Sequence, residues 1–461
     1  MAFVAKYFHE IYFMLVRFTF ENWRSFRDAS ILNLVATDEE EHGGRVPEIQ
    51  DYGFRLLPAA AIYGGNASGK SNLFNALQFS QRMITQGVGV RDGIPTEPFR
   101  LDAKYMNMPL RFGFEILVKD ENGQEHVYDY RFTINQMNVL EEKLVWINKE
   151  HNVVLFDRKD EGYLYCHETI AADNMLRAVL ESTRDNQLCL TNVASQNTRK
   201  YNAEQILCVF RWFINLTLIS PDARVRPDAF LVEIEKYNHT LSMLGTGIAK
   251  LIFKDVSLGD LSLNQNVIET MKADLQAKKT VCFFGDKGRP TVVFVQNNEL
   301  IAKQLFSVHR GSGLQSEIFF DLQDNSDGTI RVIDLLPCFL EASKQGSDRV
   351  FVIDELDRSL HTQLLRLLLE SYLASCLPES RSQIIFTTHD VLQMDEGLLR
   401  RDEMWVTDRK NDGSTELIPL SSYKGIRDDT SVRTSYLRGH FGGTPKLLFS
   451  GMFPQDMEEN Q

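Results

Sequence analysis

The run Gly64-Gly65-Asn66-Ala67-Ser68-Gly69-Lys70-Ser71 sets two glycines, a cation and a hydroxyl at the spacing G-x-x-x-x-G-K-[ST]. Glycines permit a tight turn in which successive backbone N–H groups point at one spot, and the lysine and the hydroxyl bring a charge and an oxygen ligand to it. The flanks supply the frame that such a turn needs. Pro58-Ala59-Ala60-Ala61-Ile62-Tyr63 reads as a short buried strand, and Asn72 to Phe79 carries apolar residues at helical spacing. Strand, turn and helix aim N–H groups and the positive end of a helix dipole at one point, which suits a polyphosphate. Lys70 is placed to reach the β and γ phosphates of such a group, and the Ser71 hydroxyl to ligate Mg²⁺. Asn66, Ala67, Ser68, Gly69 and Asn72 complete the expected nucleotide contacts.

Further along, Arg349-Val350-Phe351-Val352-Ile353-Asp354-Glu355 is an apolar strand that ends in two carboxylates. That order delivers Asp354 to Mg²⁺ and leaves Glu355 one position further out, where it can polarise the water that attacks the γ-phosphate. Such a strand could also cap a helix, but a phosphate loop in the same chain favours the catalytic reading. Ile384-Ile385-Phe386-Thr387-Thr388-His389-Asp390 is another apolar strand with a polar end, and His389 there can hydrogen-bond the γ-phosphate. Parallel sheets bind ligands at the carboxyl ends of their strands, where all three motifs end. Between them, Asn325-Ser326-Asp327-Gly328-Thr329 precedes the helical run Ile330 to Leu336. It reads as an N-cap with a D-G turn, or as a second helix N-terminus whose Ser326, Gly328 and Thr329 meet a phosphate.

These residues need strands and helices to hold them, and the chain is long enough to bury more than one core at 461 residues. With 43% hydrophobic and 25% charged residues it has an ordinary globular composition. A net charge of −13 argues against a surface built to coat nucleic acid, while leaving room for a local basic groove. Arg199-Lys200 and the Arg224, Arg226 pair are small basic clusters that read as solvated faces. Cys166, Cys189, Cys208, Cys282, Cys338 and Cys376 show no C-x-x-C spacing, which reads as reduced core thiols of a cytoplasmic protein and not as a metal site. No apolar run is long enough to span a membrane, and the N-terminal stretch is broken by Lys6, His9 and Glu10, so no secretory signal is expected.

Residues 1–13 read as an appendage, and a core starts at 14 with Leu15-Val16-Arg17-Phe18-Thr19-Phe20. From 14 to 147, strands surround the phosphate-loop helix, with a hairpin of Phe112–Val118 and Val127–Ile134 turning at Asp120-Glu121-Asn122-Gly123. From 148 to 279 the pattern is mostly helical, with Leu176–Thr183, Ala203–Leu218 and Phe230–Leu244 as helices and no sustained heptad. This stretch is expected to be an insertion that offers a partner or oligomer surface. From 280 to 461, strands return at Thr280–Phe284, Thr291–Val295, Glu317–Leu322, Val350–Ile353, Ile384–Thr387 and Glu403–Thr407, and the tail after Gly451 reads as frayed.

The order phosphate loop, S-x-G-T before a helix, strand with Asp-Glu, and strand with His resembles the ATP-binding-cassette class of ATPase, and the SMC/RecF-like heads in particular. Their N-terminal N-F-x-S-F is matched, with Trp for the first Phe, by Asn22-Trp23-Arg24-Ser25-Phe26. Within that class the chain is similar to the compact ATPases of bacterial anti-phage operons, the AbiL/RloA group and the ATPase of the PARIS system. Pro98-Phe99-Arg100-Leu101-Asp102, Gly245-Thr246-Gly247-Ile248, Glu355-Leu356-Asp357-Arg358-Ser359-Leu360-His361 and Tyr436-Leu437-Arg438-Gly439-His440-Phe441-Gly442-Gly443-Thr444-Pro445 carry that likeness. The resemblance implies an α/β fold: a P-loop NTPase head with a mixed or parallel sheet, an N-terminal antiparallel β region and a mostly helical insertion. It also implies a Mg²⁺-dependent ATPase whose two copies sandwich ATP, the loop of one facing Ser326, Gly328 and Thr329 of the other. Ser359 and His361 would lie at that interface, and Arg24 and Ser25 would touch the nucleotide. Asn325 stands where such ATPases often have an acid, and no glutamine is assigned to Mg²⁺.

The same resemblance implies a regulatory ATPase, a dimer or a higher even-numbered homo-oligomer, that senses a phage-derived trigger and controls a separate toxic effector, a nuclease of TOPRIM type. The 72 residues after His389 carry no E…D-x-D set and are too few for a fused nuclease, so the effector is expected on another chain. The alternative reading is a DNA-binding repair ATPase of the RecF or SMC sort. It calls for a long coiled coil or a strong basic stripe, and neither is present. The long span from Lys70 to Asp354 argues against a transporter cassette.

Overall fold

Alternating apolar and polar residues from Phe13 to Cys166 fold into a seven-stranded antiparallel sheet. Its strands are Phe13–Glu21, Ser30–Asn33, Leu110–Lys119, Glu125–Ile134, Val139–Ile147, Val153–Lys159 and Tyr163–Cys166. The computed structural model describes residues 13–444 except 121, 160–161, 197–201, 224–225, 258, 260, 262–274, 276–279, 285–288, 297–298, 311–316 and 424–430. The appendage before residue 13, the Arg199-Lys200 cluster, Arg224, Pro445 and the tail lie outside the described residues. Register places Phe18 opposite Phe114, Phe20 opposite Phe112, and Phe112 opposite Phe132. These rings meet at 4.8 Å for Phe18 and Phe114 and 5.2 Å for Phe112 and Phe132, so aromatic cross-strand pairs fix one face of the sheet as core.

The second sheet obeys a different pattern. Its inner strands Ala59–Tyr63, Val350–Ile353 and Gln383–Thr387 are buried at every residue. Continuous apolar runs of this kind belong to parallel strands covered on both faces. The order is Thr217–Ile219, Val350–Ile353, Gln383–Thr387, Ala59–Tyr63, Met404–Arg409 and Thr415–Pro419. The first five strands are parallel, and only Thr415–Pro419 runs against its neighbour. The carboxyl ends of five strands therefore share one edge. The helix Lys70–Thr85 starts there and buries Leu73, Phe74, Leu77 and Ile84. The fold is the expected α/β head: a parallel sheet with a phosphate-loop helix beside an N-terminal antiparallel β region.

Both sheets belong to one compact unit, Met1–Ile219 with Gln345–Leu356 and Leu373–Gln461, and a second unit comprises Ser220–Lys344 and Asp357–Tyr372. The division corrects the expected boundaries at 148 and 279. Residues 148–219 fold with the first unit, because Val153–Lys159 and Tyr163–Cys166 extend the antiparallel sheet and Thr217–Ile219 joins the parallel one. The helix expected over Ala203–Leu218 runs only from Glu204 to Asn215, since Leu218 pairs beside Val352. In the second unit, Lys250–Val256, Thr280–Phe284, Pro290–Gln296, Glu299–Arg310 and Glu317–Asp321 form an antiparallel sheet. Leu251 and Leu305 from this sheet pack with Phe230, Leu241, Val332 and Leu336.

One side chain joins the two sheets of the first unit. Gln383 is fully buried at the start of its strand, accepts from Leu15 N–H at 2.6 Å and donates to Leu15 O and Leu57 O at 3.1 and 3.0 Å. Its amide satisfies the backbone of an antiparallel strand that would otherwise face apolar surroundings. Gln383→Leu, nearly isosteric, leaves those groups unpaired and is expected to cost about 3 kcal/mol of stability, read as a fall in the urea midpoint at unchanged m.

Candidate nucleotide-binding site

The phosphate loop leaves the strand Ala59–Tyr63 and turns under tight steric limits. A Cβ on Gly64 would overlap Thr407 Oγ1 and Ser68 Oγ, and one on Gly69, at φ +112°, would lie 2.6 Å from Thr415 Oγ1. Both glycines of the motif are thus required by neighbouring threonines, quite apart from any phosphate. Thr407 Oγ1 donates to Tyr63 O at 3.2 Å and shares a hydrogen bond with Ser68 Oγ at 2.6 Å. Thr415 Oγ1 donates to Ser68 O at 2.8 Å. The helix from Lys70 opens with Gly69 at its N-cap, and Asn72 N–H bonds back to Gly69 O at 2.9 Å. Lys70 is buried, with Nζ 2.7 Å from Gly64 O, 3.0 Å from Gly65 O and 3.4 Å from His389 Nδ1. The geometry brings Lys70 and His389 together.

The carboxylates arrive on the adjacent strands. Asp354 is buried, and its Oδ1 accepts from Ser71 Oγ at 3.3 Å and from Thr387 Oγ1 at 2.6 Å. Thr387 Oγ1 in turn accepts from Glu355 N–H at 2.8 Å. Glu355 holds a left-handed φ of 48°, uncommon for a non-glycine residue and typical of sites where the backbone is constrained for function. Ser71 and Asp354 therefore meet, and Thr387 bonds both the Asp354 carboxylate and the Glu355 backbone. Sequence reading named the strand that carries Thr387 but not Thr387, nor Thr407 and Thr415. Their roles follow from strand order, which no local spacing encodes.

Arg24 and Ser25 form the next wall. Trp23 and Phe26 close a tight bridge, and Trp23 Nε1 donates to Asn72 O at 2.9 Å, docking this turn on the helix after the loop. Ser25 Oγ accepts from Asn72 Nδ2 at 2.8 Å and lies 2.9 Å from Thr415 Oγ1, to which its own hydrogen can be donated. Arg24 pairs with Glu97 at 2.7 Å and lies over the Trp23 ring. Arg24, Ser25, Asn72, Phe99, Arg100 and Arg409 line a cleft of about 310 Å³ beside the loop. Asn66 and Ala67 are exposed at the loop tip, where Ala67 takes φ 59°.

The second unit carries the other predicted set. Ser326 is the exposed N-cap of the helix Asp327–Ala342, accepting from Thr329 N–H at 3.3 Å and lying 3.0 Å from Thr329 Oγ1. A Cβ on Gly328 would fall 2.6 Å from Ser359 O, so Ser326, Gly328 and Ser359 share one surface, with Ser359 at φ 59° and exposed. His361 is exposed and its Nδ1 accepts from Gln363 N–H at 3.2 Å, capping the helix Thr362–Ser375. Asn325 is turned into its own unit: Nδ2 donates to Ser307 Oγ and Leu322 O, each at 2.9 Å, and Oδ1 meets His309 Nε2 at 3.0 Å. Cys166, Cys189, Cys208, Cys338 and Cys376 are free thiols, and among the described residues no cluster of His, Cys, Asp and Glu could hold a metal by itself. No helix of the described residues is long and apolar enough to cross a membrane.

The family model described as "AAA domain, putative AbiEii toxin, Type IV TA system" matches residues 59–186 and 199–395. The chain belongs to this AAA-domain family. Among solved structures it is similar to the SMC head domain from Thermotoga maritima, at 13% identity over 88% of this chain and 98% of that one, with a TM-score of 0.33. It is also similar to the SmcHead bound to the C-winged helix domain of ScpA, at 12% identity over 88% of this chain and 97% of that one, with a TM-score of 0.38. No curated protein matches it.

The two kinds of contact separate in a binding and turnover experiment. Lys70→Ala removes the cation of the loop and is expected to abolish measurable ATP binding. Thr387→Val keeps the strand but frees Asp354 and Glu355 from each other, and should leave ATP affinity near that of the parent while slowing turnover by about 10- to 100-fold.

Proposed function

We propose that this chain hydrolyses ATP with Mg²⁺ at a site completed by a second copy, and that the cycle controls a separately encoded toxic effector, a nuclease, in anti-phage defence. One observation carries the hydrolytic part: Thr387 holds Asp354 at the Ser71 hydroxyl and Glu355 one residue beyond it. Ser71 Oγ and Asp354 Oδ1, 3.3 Å apart at the mouth of the phosphate loop, form an all-oxygen pair that fits Mg²⁺, a hard cation that keeps waters and phosphate oxygens as its other ligands. When bound, Mg²⁺ would neutralise charge developing on the β and γ phosphates.

The chain's own groups supply the rest. Lys70 neutralises the phosphate oxygens, and Glu355 orients the attacking water and takes its proton. His389, 3.4 Å from Lys70 Nζ, adds a hydrogen bond on the γ-phosphate side. The exposed N-terminus of the helix Asp327–Ala342 offers Ser326 and Gly328 to the phosphate of a partner's nucleotide. A self-complementary site of this kind calls for two-fold pairing. The defence role is supported by the likeness of Arg358-Ser359-Leu360-His361 and of the Tyr436–Gly443 stretch to the ATPases of anti-phage operons, and by a family description that names a toxin system.

Glu355→Gln should bind ATP like the parent and turn it over about 10²- to 10⁴-fold more slowly, since a water-positioning base contributes that much. Ser326→Arg and Lys70→Ala chains should each be inactive and regain activity on mixing, because the mixed pair holds one intact site. Co-assembly without recovered activity would remove Ser326 and Gly328 from the composite site. In cells challenged with phage, the chain expressed alone should give no protection and should protect together with its effector. Robust protection by the chain alone would defeat the separate-effector reading.

A further inference from the structure

The stretch Tyr436 to Gly443 reaches the strand Met404–Arg409 and the phosphate loop, and Gly443 is where it makes contact. Gly443 O accepts from Gly65 N–H at 2.6 Å and from the Tyr436 hydroxyl at 2.9 Å, while Gly443 N–H donates to Asp408 Oδ1 at 2.7 Å. Gly442 and Gly443 both sit at φ +68°. A Cβ on Gly442 would lie 2.7 Å from Asp408 Cγ, and one on Gly443 would overlap Val406 Cγ1. Only paired glycines let the backbone pass this close to the strand. Burial, with the Asp408 carboxylate nearby, pushes the Tyr436 hydroxyl up to about 12, so it remains a donor at neutral pH.

Gly65 is thereby gripped from two sides. Its N–H is held by Gly443, and its carbonyl by Lys70 Nζ at 3.0 Å. The expected phosphate contacts begin one residue later, at Asn66, so the bond to Gly443 uses none of their N–H groups. On the neighbouring strand Thr407 holds Tyr63 O and Ser68 Oγ, so Thr407 and Asp408 hold the loop and the glycine turn behind it.

We propose that Gly443, fixed by Asp408 and Tyr436, is a positioning element for ATP that sets the Gly64-Gly65 backbone before nucleotide arrives. The inference rests on the nucleotide reading above and deepens it. A loop ordered in advance loses less freedom on binding, so removing the support raises the ATP Kd and KM while kcat stays near that of the parent.

The test uses the full chain with Mg-ATP as the probe. Tyr436→Phe deletes one oxygen and should weaken ATP binding about 3- to 10-fold, the worth of one hydrogen bond. Asp408→Ala should weaken it about 10-fold, and Asp408→Asn, which keeps an acceptor oxygen, should stay within about 3-fold. Without nucleotide, hydrogen exchange in the peptide that contains Gly65 should quicken in Tyr436→Phe and Asp408→Ala but not in Asp408→Asn. Parental ATP affinity in both Tyr436→Phe and Asp408→Ala, beside loss of binding in Lys70→Ala, overturns the inference and leaves the nucleotide reading standing. Unchanged exchange at Gly65 overturns it too. A parent that binds no ATP removes the nucleotide reading and this inference with it. Should Asp408→Ala fail to fold, Tyr436→Phe decides alone.

Discussion

The site depends on one hydroxyl. Thr387 Oγ1 donates to Asp354 and accepts from the Glu355 backbone, so a single oxygen sets the carboxylate of one residue and the main chain of the next. This works only because Gln383–Thr387 lies directly between Val350–Ile353 and Ala59–Tyr63, all three parallel. The middle strand can then reach the acids on one side while the phosphate loop leaves the other. Glu355 takes a left-handed turn at φ 48°, and the bond from its N–H to Thr387 offsets that local strain.

The same strand anchors the head at its other end. Gln383 ties the amino end of the strand to Leu15 and Leu57, and Thr387 ties the carboxyl end to the acids. The antiparallel sheet is thus registered against the strand that organises the chemistry. A displacement of Phe13–Glu21 would be felt through five residues of buried strand, which a close-packed core transmits with little slack. Trp23 and Ser25 make a parallel link, from the turn after Phe13–Glu21 to Asn72 of the phosphate-loop helix.

What could be read from the sequence was what is local. Gly64 to Ser71, Asp354-Glu355 and His389 stand within short runs whose flanks betray strand or helix, and each falls where that reading puts it. The N-cap at Ser326 was equally legible from Ser-Asp-Gly-Thr before an apolar helical run. Thr407, Thr415 and Gly443 were not legible, because each acts on the loop only after Met404–Arg409 pairs beside Ala59–Tyr63 and Thr415–Pro419 pairs beside that. The strand Thr217–Ile219 reads, at Thr217 and Leu218, as the end of the helix expected over Ala203–Leu218 for the same reason. Its apolar residues fit either period, and the edge of the parallel sheet decides between them. The stretch 148–219 reads as part of the mostly helical insertion over 148–279, whereas strand pairing puts it in the first unit.

Gly328 and Ser326 show how one residue can satisfy two demands. Gly328 would be selected by packing alone, since any side chain would meet Ser359 O, so its presence does not by itself speak for phosphate recognition. Ser326 is more informative. As an N-cap it needs only an acceptor for Thr329 N–H, a role that Asp or Asn fills as well. A hydroxyl has two lone pairs and one hydrogen, so it can cap its own helix and still donate to an anion approaching along the helix axis. Aspartate would keep the cap and repel that anion. Asn325, spent on His309, Ser307 and Leu322, fixes the turn from behind and leaves the exposed face to Ser326. A capping residue whose hydroxyl can still donate, on an exposed helix start near the exposed Ser359, is the feature on which the proposed contact with a second copy's nucleotide rests.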